Sequence, residues 1–251
     1  MRQITEYLST KVNQSQAKAT DANIHKIVRN EFDRVGLDAD LNHIDVSEVH
    51  KFSELFKEYD FSGDVSEWNM HNAVFTDGMF YDCKNFNCDL GNWEMKMVRN
   101  TTGMFKNCSN FTGDGLDKWK IGNSLRSCEL MFYKCESFKQ DLSKWRPHIK
   151  YARSMFYGCS LFDSNLNEWD MSICDNFQHM FGHCSKFNSP LDKWNINKYA
   201  ALIDYMFTNA TEFCQDLSSW DFIDSKIVDK NIIKEAFKGT SMKEEYLPKC
   251  N

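Results

Sequence analysis

Proline and glycine are scarce: three prolines and eleven glycines in 251 residues exclude collagen-like and linker-rich designs. No apolar run approaches the roughly 18 residues of a membrane-spanning helix. The first residues, MRQITEYLSTKVNQ, lack the apolar stretch of a secretory signal, so export by that route is not expected. Basic residues are outnumbered, 30 Lys and Arg against 36 Asp and Glu, and a net charge of −6 argues against a broad nucleic-acid surface. There is no C-x-x-C pair, no G-x-S-x-G and no phosphate-binding glycine loop. No catalytic residue, metal or cofactor is therefore expected. What the chain does have is hydrophobic residues at 42%, too many for disorder, and aromatic residues at 14%.

The aromatic residues are periodic. All seven tryptophans fall in one series, Trp68, Trp93, Trp119, Trp145, Trp169, Trp194 and Trp220, at spacings of 25, 26, 26, 24, 25 and 26. A phenylalanine leads each Trp by seven residues (Phe61, Phe86, Phe138, Phe162, Phe187, Phe213), or by eight at Phe111, where Gly115 reads as an insertion. A second phenylalanine lies six residues before that one, at Phe80, Phe105, Phe132, Phe156, Phe181 and Phe207, each preceded by Met. The unit reads M-F-x-x-C-x-x-F-x-x-D-L-x-x-W plus a looser arc. Units of this length cannot bury their apolar face alone, and stacking completes the core. The expectation is an α/β repeat solenoid, a leucine-rich-repeat-like stack of about eight coils with a short parallel β-ladder. The ladder is expected on D-L-x-x-W, with Val65, Leu90, Leu116, Leu142, Leu166, Leu191 and Leu217 pointing inward. M-F-x-x-C is expected to form a helical or 3₁₀ turn. Phe-to-Phe and Phe-to-Trp lengths hardly vary, whereas the Trp-to-Phe arc changes repeatedly, which marks it as a loop face with solvent-facing side chains.

Both ends depart from the unit, as terminal repeats must. Leu37, Leu41, Ile44 and Phe56 fill the Phe, Leu, Trp and second-Phe slots of a degenerate first coil. Ahead of it, residues 20–36 read as a capping helix, with Thr20 or Asp21 as N-cap, Gly36 at C′ and a stripe of Ile24, Ile27, Val28, Phe32 and Val35. Residues 1–19 carry a weak stripe (Ile4, Tyr7, Leu8, Val12) and a polar stretch, and are expected to be a frayed terminus or a tether. Residues 37–220 form the repeat array. Residues 221–251 form a C-terminal cap, with a helical pattern at Ile232, Ile233, Ala236 and Phe237.

The units FNCDLGNWEMKMVRNTTGMFKNCSN and FKQDLSKWRPHIKYARSMFYGCSL resemble the Trp-containing repeat of BspA-type leucine-rich-repeat surface proteins, whose consensus runs F-N-x-D-L-S-x-W-D-V-S-x-V-x-x-M-x-x-M-F-x-x-C. The resemblance covers residues 37–213 and extends more loosely to the flanks. Arg146-Pro147-His148 replaces the D-V-S turn, Pro190 replaces the Asp and Ala210 the Cys. The resemblance implies a binding or adhesive role without catalysis, often at the surface of a bacterium or virus particle.

Ten cysteines suggest a disulfide scaffold until they are placed on the repeat. Cys83, Cys108, Cys135, Cys159 and Cys184 share one slot, which Tyr59, Ala210 and Thr240 also occupy, so buried free thiols acting as small apolar filler explain them better than a metal centre. Cys88, Cys128, Cys174, Cys214 and Cys250 lie off that slot, with Cys250 the most reactive by position. His179, His183 and Cys184 lack a converging third or fourth ligand. Asp64, Asp89, Asp114, Asp141 and Asp216 form a ladder better explained by turn capping than by calcium, since Asn165 and Pro190 also fill its slot.

Function then rests on the non-repeating surface. Arg146, His148, Lys150, Tyr151 and Arg153 form a basic, aromatic arc in an acidic chain, and Arg and Tyr are favoured at interaction hot spots. The expectation is a non-enzymatic binding or adhesion module for a protein or glycan partner, with neither nucleic-acid binding nor membrane insertion. The alternative is a structural component of a virus particle that docks onto neighbouring subunits. The expected location is the cytoplasm or a virion, and the cell surface only if the chain is exported by another route.

Overall fold

A computed structural model of the chain describes residues 17–199 and 201–250. The stripe at Ile4, Tyr7, Leu8 and Val12, and most of the expected tether, lie outside the described residues. Regular elements are few and sit at the two ends. Strand β1 (Ala17–Thr20) is followed by helix α1 (Ile24–Val35) and strand β2 (Ile44–Glu48). At the far end come strand β3 (Asp221–Phe222), helix α2 (Lys230–Ala236) and strand β4 (Lys249–Cys250). β1 pairs in parallel with β2, and β3 in parallel with β4. Between these ends the chain is almost entirely turns, which single-residue parallel bridges join side by side.

Those bridges run Lys51–Phe75–Asn100–Ser127–Tyr151–Asn176–Leu202, with each partner one unit further along the chain. They lie in the Trp-to-Phe arc, five residues ahead of the M-F phenylalanine, and not on D-L-x-x-W. The D-L-x-x-W segments are turns, except for one bridge between Asp40 and Asp64. Local hydrogen bonding is the physical reason for the difference. The Asp or Asn side chain accepts the backbone N–H two residues on, as in Asp64 to Ser66 (2.8 Å) and Asp141 to Ser143 (2.8 Å). The Trp N–H then closes a turn onto the Leu carbonyl, as in Trp93 to Leu90 (3.1 Å). Donors engaged in these local bonds cannot serve a ladder.

The M-F-x-x-C segment alternates its donors. Gly78, Phe80 and Asp82 give their N–H groups to Thr102, Met104 and Lys106 of the next unit, at 2.8, 2.8 and 2.9 Å. Met79, Tyr81 and Cys83 give theirs back within the unit, to Thr76, Gly78 and Phe80. This alternation places two left-handed residues around each phenylalanine: Gly78 and Asp82, Gly103 and Asn107, Leu130 and Lys134, His179 and His183, Tyr205 and Asn209. A left-handed backbone costs a non-glycine residue roughly 1–2 kcal/mol, which the neighbouring unit's hydrogen bonds must offset.

The core is made of rows that run through the units. The M-F rings stack from Phe56 through Phe80, Phe105, Phe132, Phe156, Phe181 and Phe207 to Phe237, with centroids 5.1–5.8 Å apart. The leading phenylalanines form a second row from Phe61 to Phe213. Within a unit the two rings lie close together, 4.0 Å apart for Phe80 and Phe86. Offset stacking of this kind adds about 0.5–1.5 kcal/mol per pair beyond the area buried.

Every tryptophan also uses its polar edge. The indole Nε1–H donates to the Leu-slot carbonyl of the preceding unit: Trp68 to Leu41 (2.9 Å), Trp93 to Val65 (2.9 Å), Trp119 to Leu90 (2.8 Å) and Trp145 to Leu116 (2.7 Å). Trp169, Trp194 and Trp220 do the same to Leu142, Leu166 and Leu191. A phenylalanine would fill most of the space and lose that bond, leaving the carbonyl with only the backbone N–H of its own turn, as Leu116 has from Trp119 (3.1 Å).

The arc is not a solvent-facing loop. Its residues alternate, with Met70, Ala73, Met95, Val98, Ile149, Ala152, Cys174 and Phe177 buried. Length varies there because the arc absorbs insertions between inward residues. The extra residue after Phe111 is taken up at Gly113 and Gly115, both left-handed, ahead of a 3₁₀ turn at Leu116–Lys118. A side chain at Gly115 would meet the Gly91 backbone at 2.2 Å, so glycine is required.

The ends differ in detail from expectation. α1 begins at Ile24 with Asn23 as its N-cap residue. Thr20 ends β1, and Asp21 accepts the backbone N–H groups of His50 (2.7 Å) and Lys51 (3.0 Å) instead of capping the helix. Residues 17–20 are thus strand and not frayed chain. Gly36 (φ 93) closes α1, giving its N–H to Phe32. Leu37 is 38% exposed, and Phe32 of α1 takes the place expected for it, 5.7 Å from Phe61 and 6.1 Å from Phe56. At the other end Asp229 caps α2 by accepting from Ile232 (2.9 Å), and Phe237 completes the ring row.

Trp145→Ala, at a site 1% exposed, is expected to cost about 3–5 kcal/mol in urea unfolding. Trp145→Phe keeps most of the packing and is expected to cost about 0.5–1.5 kcal/mol for the lost indole bond to the Leu116 carbonyl, which still accepts from the Trp119 backbone N–H. Gly103 is left-handed, and the nearest atom to an added Cβ is 3.8 Å away, so space is not limiting. Gly103→Ala should therefore lose about 1–2 kcal/mol through backbone strain alone, read from the shift in denaturation midpoint at constant m-value.

Candidate interaction surface

The five residues Arg146, His148, Lys150, Tyr151 and Arg153 share the outer side of one arc. Pro147, Ile149 and Ala152 between them are buried, and this alternation turns the five outward. Tyr151 is 40% exposed and its backbone carries the parallel bridges to Ser127 and Asn176. The arc is less free than its composition suggests. His148 Nδ1 lies 3.1 Å from Asp170 Oδ2, and Lys150 Nζ lies 3.5 Å from Asp175 Oδ2, both in the next unit. Tyr151, with Asp175 behind it, holds the Lys150 ammonium above its ordinary range. Arg146 donates to the carbonyls of Ser143 (2.7 Å) and Trp145 (2.8 Å) in its own turn. Arg153 is exposed and has no ion pair among the described residues.

A second outward row was not anticipated. It starts at the residue after each M-F pair and runs along the turns. Lys106 Nζ lies over the Tyr81 ring (4.6 Å) and near that of Tyr133 (5.7 Å). Tyr133 stacks on Tyr157 (4.9 Å), Tyr157 meets His183 (5.1 Å), and His179 stacks on Tyr205 (5.0 Å). The signal was the variable slot itself, which reads M-F-Y, M-F-K, M-F-Y, M-F-Y in successive units. Where Gly78 and Gly103 replace side chains, the row borders an open groove of about 280 Å³ that also touches Glu54, Asp77 and Thr102.

The histidines belong to that row and do not meet Cys184. Burial, and then the Arg153 charge, lower the pKa of His179. Cys184 is buried, with its Sγ donating to the Phe156 carbonyl at 2.9 Å. Among the described residues no three His, Cys, Asp or Glu side chains are grouped to hold a metal ion. The aspartate slot is an acceptor for turns: burial raises the pKa of Asp64 and Asp141, but hydrogen bonds from Ser66 and Ser143 outweigh it and hold both below the usual carboxylate range.

The slot cysteines are more than apolar filler. Cys83, Cys108, Cys135, Cys159 and Cys184 each donate Sγ–H to the M-F phenylalanine carbonyl of the preceding unit, at 2.9–3.1 Å. Cys128 and Cys174 are also buried, in the arc. All ten cysteines are free thiols, and only Cys88, Cys214 and Cys250 are half-exposed.

This arrangement, with one set of hydrogen bonds and ring contacts recurring about every 25 residues, defines a repeat protein. The chain belongs to the family described as Mycoplasma protein of unknown function, DUF285, which matches residues 26–145 and again residues 126–246. The matches overlap because similar units can be aligned in more than one register. No curated protein and no solved structure matches the chain. Among the described residues no helix is long and apolar enough to cross a membrane.

Burial pushes the thiols of Cys83, Cys128 and Cys174 up from 9.0 to about 12. A raised thiol pKa favours the folded state below the unfolded value, and that contribution is lost as pH climbs through the folded one. Stability is therefore expected to fall as pH rises from about 9 toward 12, and less steeply in Cys128→Ala. Native protein at pH 8 should label first at the half-exposed Cys214 and Cys250, and all ten thiols only after unfolding, as mass spectrometry would read.

Proposed function

We propose that the chain is a non-enzymatic binding module: a leucine-rich-repeat-like solenoid of about eight coils that offers an extended outer face to a protein or glycan partner. The observation that carries this reading is the contrast between inside and outside. Inward slots repeat Phe, Leu, Trp and Cys with little change. Along the bridged row stand Lys51, Phe75 and Tyr151, exposed, and Asn100, Ser127, Asn176 and Leu202, half-buried, a mix of charged, aromatic, polar and apolar side chains. A backbone held constant beneath changing side chains suits recognition spread over several units. The resemblance to BspA-type surface repeats supports the same reading.

Within that face, Arg146, His148, Lys150, Tyr151 and Arg153 form the proposed contact patch. Tyr151 and Arg153 are its anchors, because the other three already spend polar groups on the protein itself. Replacing Arg146, Tyr151 and Arg153 together by Ala is expected to change stability by no more than about 0.5 kcal/mol per site while abolishing partner retention in a pull-down. Retention at the wild-type level would move contact to the Tyr81–Tyr157 row. A large loss of melting temperature would instead mean that the patch supports the fold.

A further inference from the structure

The array ends in a cleft unlike any other part of its surface. It has a volume of about 660 Å³ and is lined by Ile223, Ile233, Phe237, Met242, Leu247 and Pro248. Ile223 is 42% exposed, and Phe237 is the last ring of the stacked row. Elsewhere each ring of that row stacks on a ring of the following unit, whereas Phe237, at the C-terminus of the short helix α2, has none beyond it among the described residues and lines the cleft. The volume falls within the range of small-molecule sites, which are mostly apolar with a few polar groups at the mouth.

Those polar groups are lysines. Lys230, Lys234 and Lys249 border the cleft against one carboxylate, Glu244, a local excess of two positive charges in a chain of net charge −6. None of the three forms an ion pair among the described residues, although surface lysines of the array such as Lys150, Lys193 and Lys198 do. Lys230 and Lys234 are also four residues apart on α2, where like charges repel, and a bound anion relieves that repulsion.

We propose that this cleft binds a free fatty acid of about twelve carbons, its alkyl chain against Ile223, Ile233, Phe237 and Leu247 and its carboxylate at Lys230 and Lys234. A neutral apolar ligand would leave the lysines unused, and a small anion would leave the apolar wall exposed. A single-chain anionic amphiphile satisfies both. The site is independent of the outer face proposed above, since it lies at the end of the array.

The test is calorimetric titration of the full chain with laurate below its micellar concentration, beside dodecanol and dodecylammonium. The expected result is saturable 1:1 binding of laurate, with the alcohol and the cation roughly tenfold weaker or worse. Lys230→Glu with Lys234→Glu should weaken laurate by roughly tenfold or more, and Ile223→Asp, at an exposed site, should do the same without unfolding the chain. Circular dichroism of each variant separates lost binding from lost fold, and laurate protection of Cys250, which also lines the cleft, from thiol labelling gives a second readout in the wild type. Absence of saturable laurate binding, binding unchanged in the folded variants, or association only with anionic vesicles would each overturn the proposal.

Discussion

Each unit leaves surfaces that only its neighbour can cover. The flat faces of the M-F and leading phenylalanines lie bare on one side of a unit, and the Leu-slot and Phe-slot carbonyls, each accepting one N–H of its own unit, keep a second acceptor position open on the same side. The next unit supplies both missing parts at once: rings for the rings, an indole N–H for one carbonyl and a thiol for the other, as when Trp119 and Cys108 reach Leu90 and Phe80. Backbone N–H groups bind in the opposite direction, as Phe80 does to Met104. Adjacent units are therefore stitched both ways, and an isolated unit would bury neither its apolar nor its polar groups.

This dependence explains the backbone. Two residues per turn sit in left-handed geometry, and several of them, including Leu130, His179 and Tyr205, are types that rarely adopt it. Alone, such turns would relax. They persist because every second N–H is tied to the following unit, which fixes the turn whatever side chain it carries. The outward position is thereby freed from structural duty, and it is where Lys, Tyr and His gather into the surface row.

The first and last described units close the ring rows differently. At the first unit α1 brings Phe32 over Phe56 and Phe61, so an amphipathic helix does what rings do elsewhere. At the last, Phe237 ends the row, and a lysine-bordered cleft lies beyond it. The proposed fatty-acid site and the proposed contact patch thus have different origins: one comes from the ending of the stack, the other from its repetition.

The periods of Trp, Phe and Met were enough to establish the repeat, its length and which slots are buried, because burial of large rings demands the same residue at the same place in every unit. They also pointed to free thiols, whose slot accepts Ala and Tyr. The position of the parallel bridges was not legible, since it depends on which N–H groups the aspartate and left-handed turns had already claimed. Nor was the inward half of the arc at Ile149 and Ala152, or the pairing of His148 and Lys150 with Asp170 and Asp175, because those partners lie about one unit away in sequence and meet only when units stack. Periodicity in one dimension reports what each slot must bury, whereas hydrogen-bond partners across the stack are decided only in three.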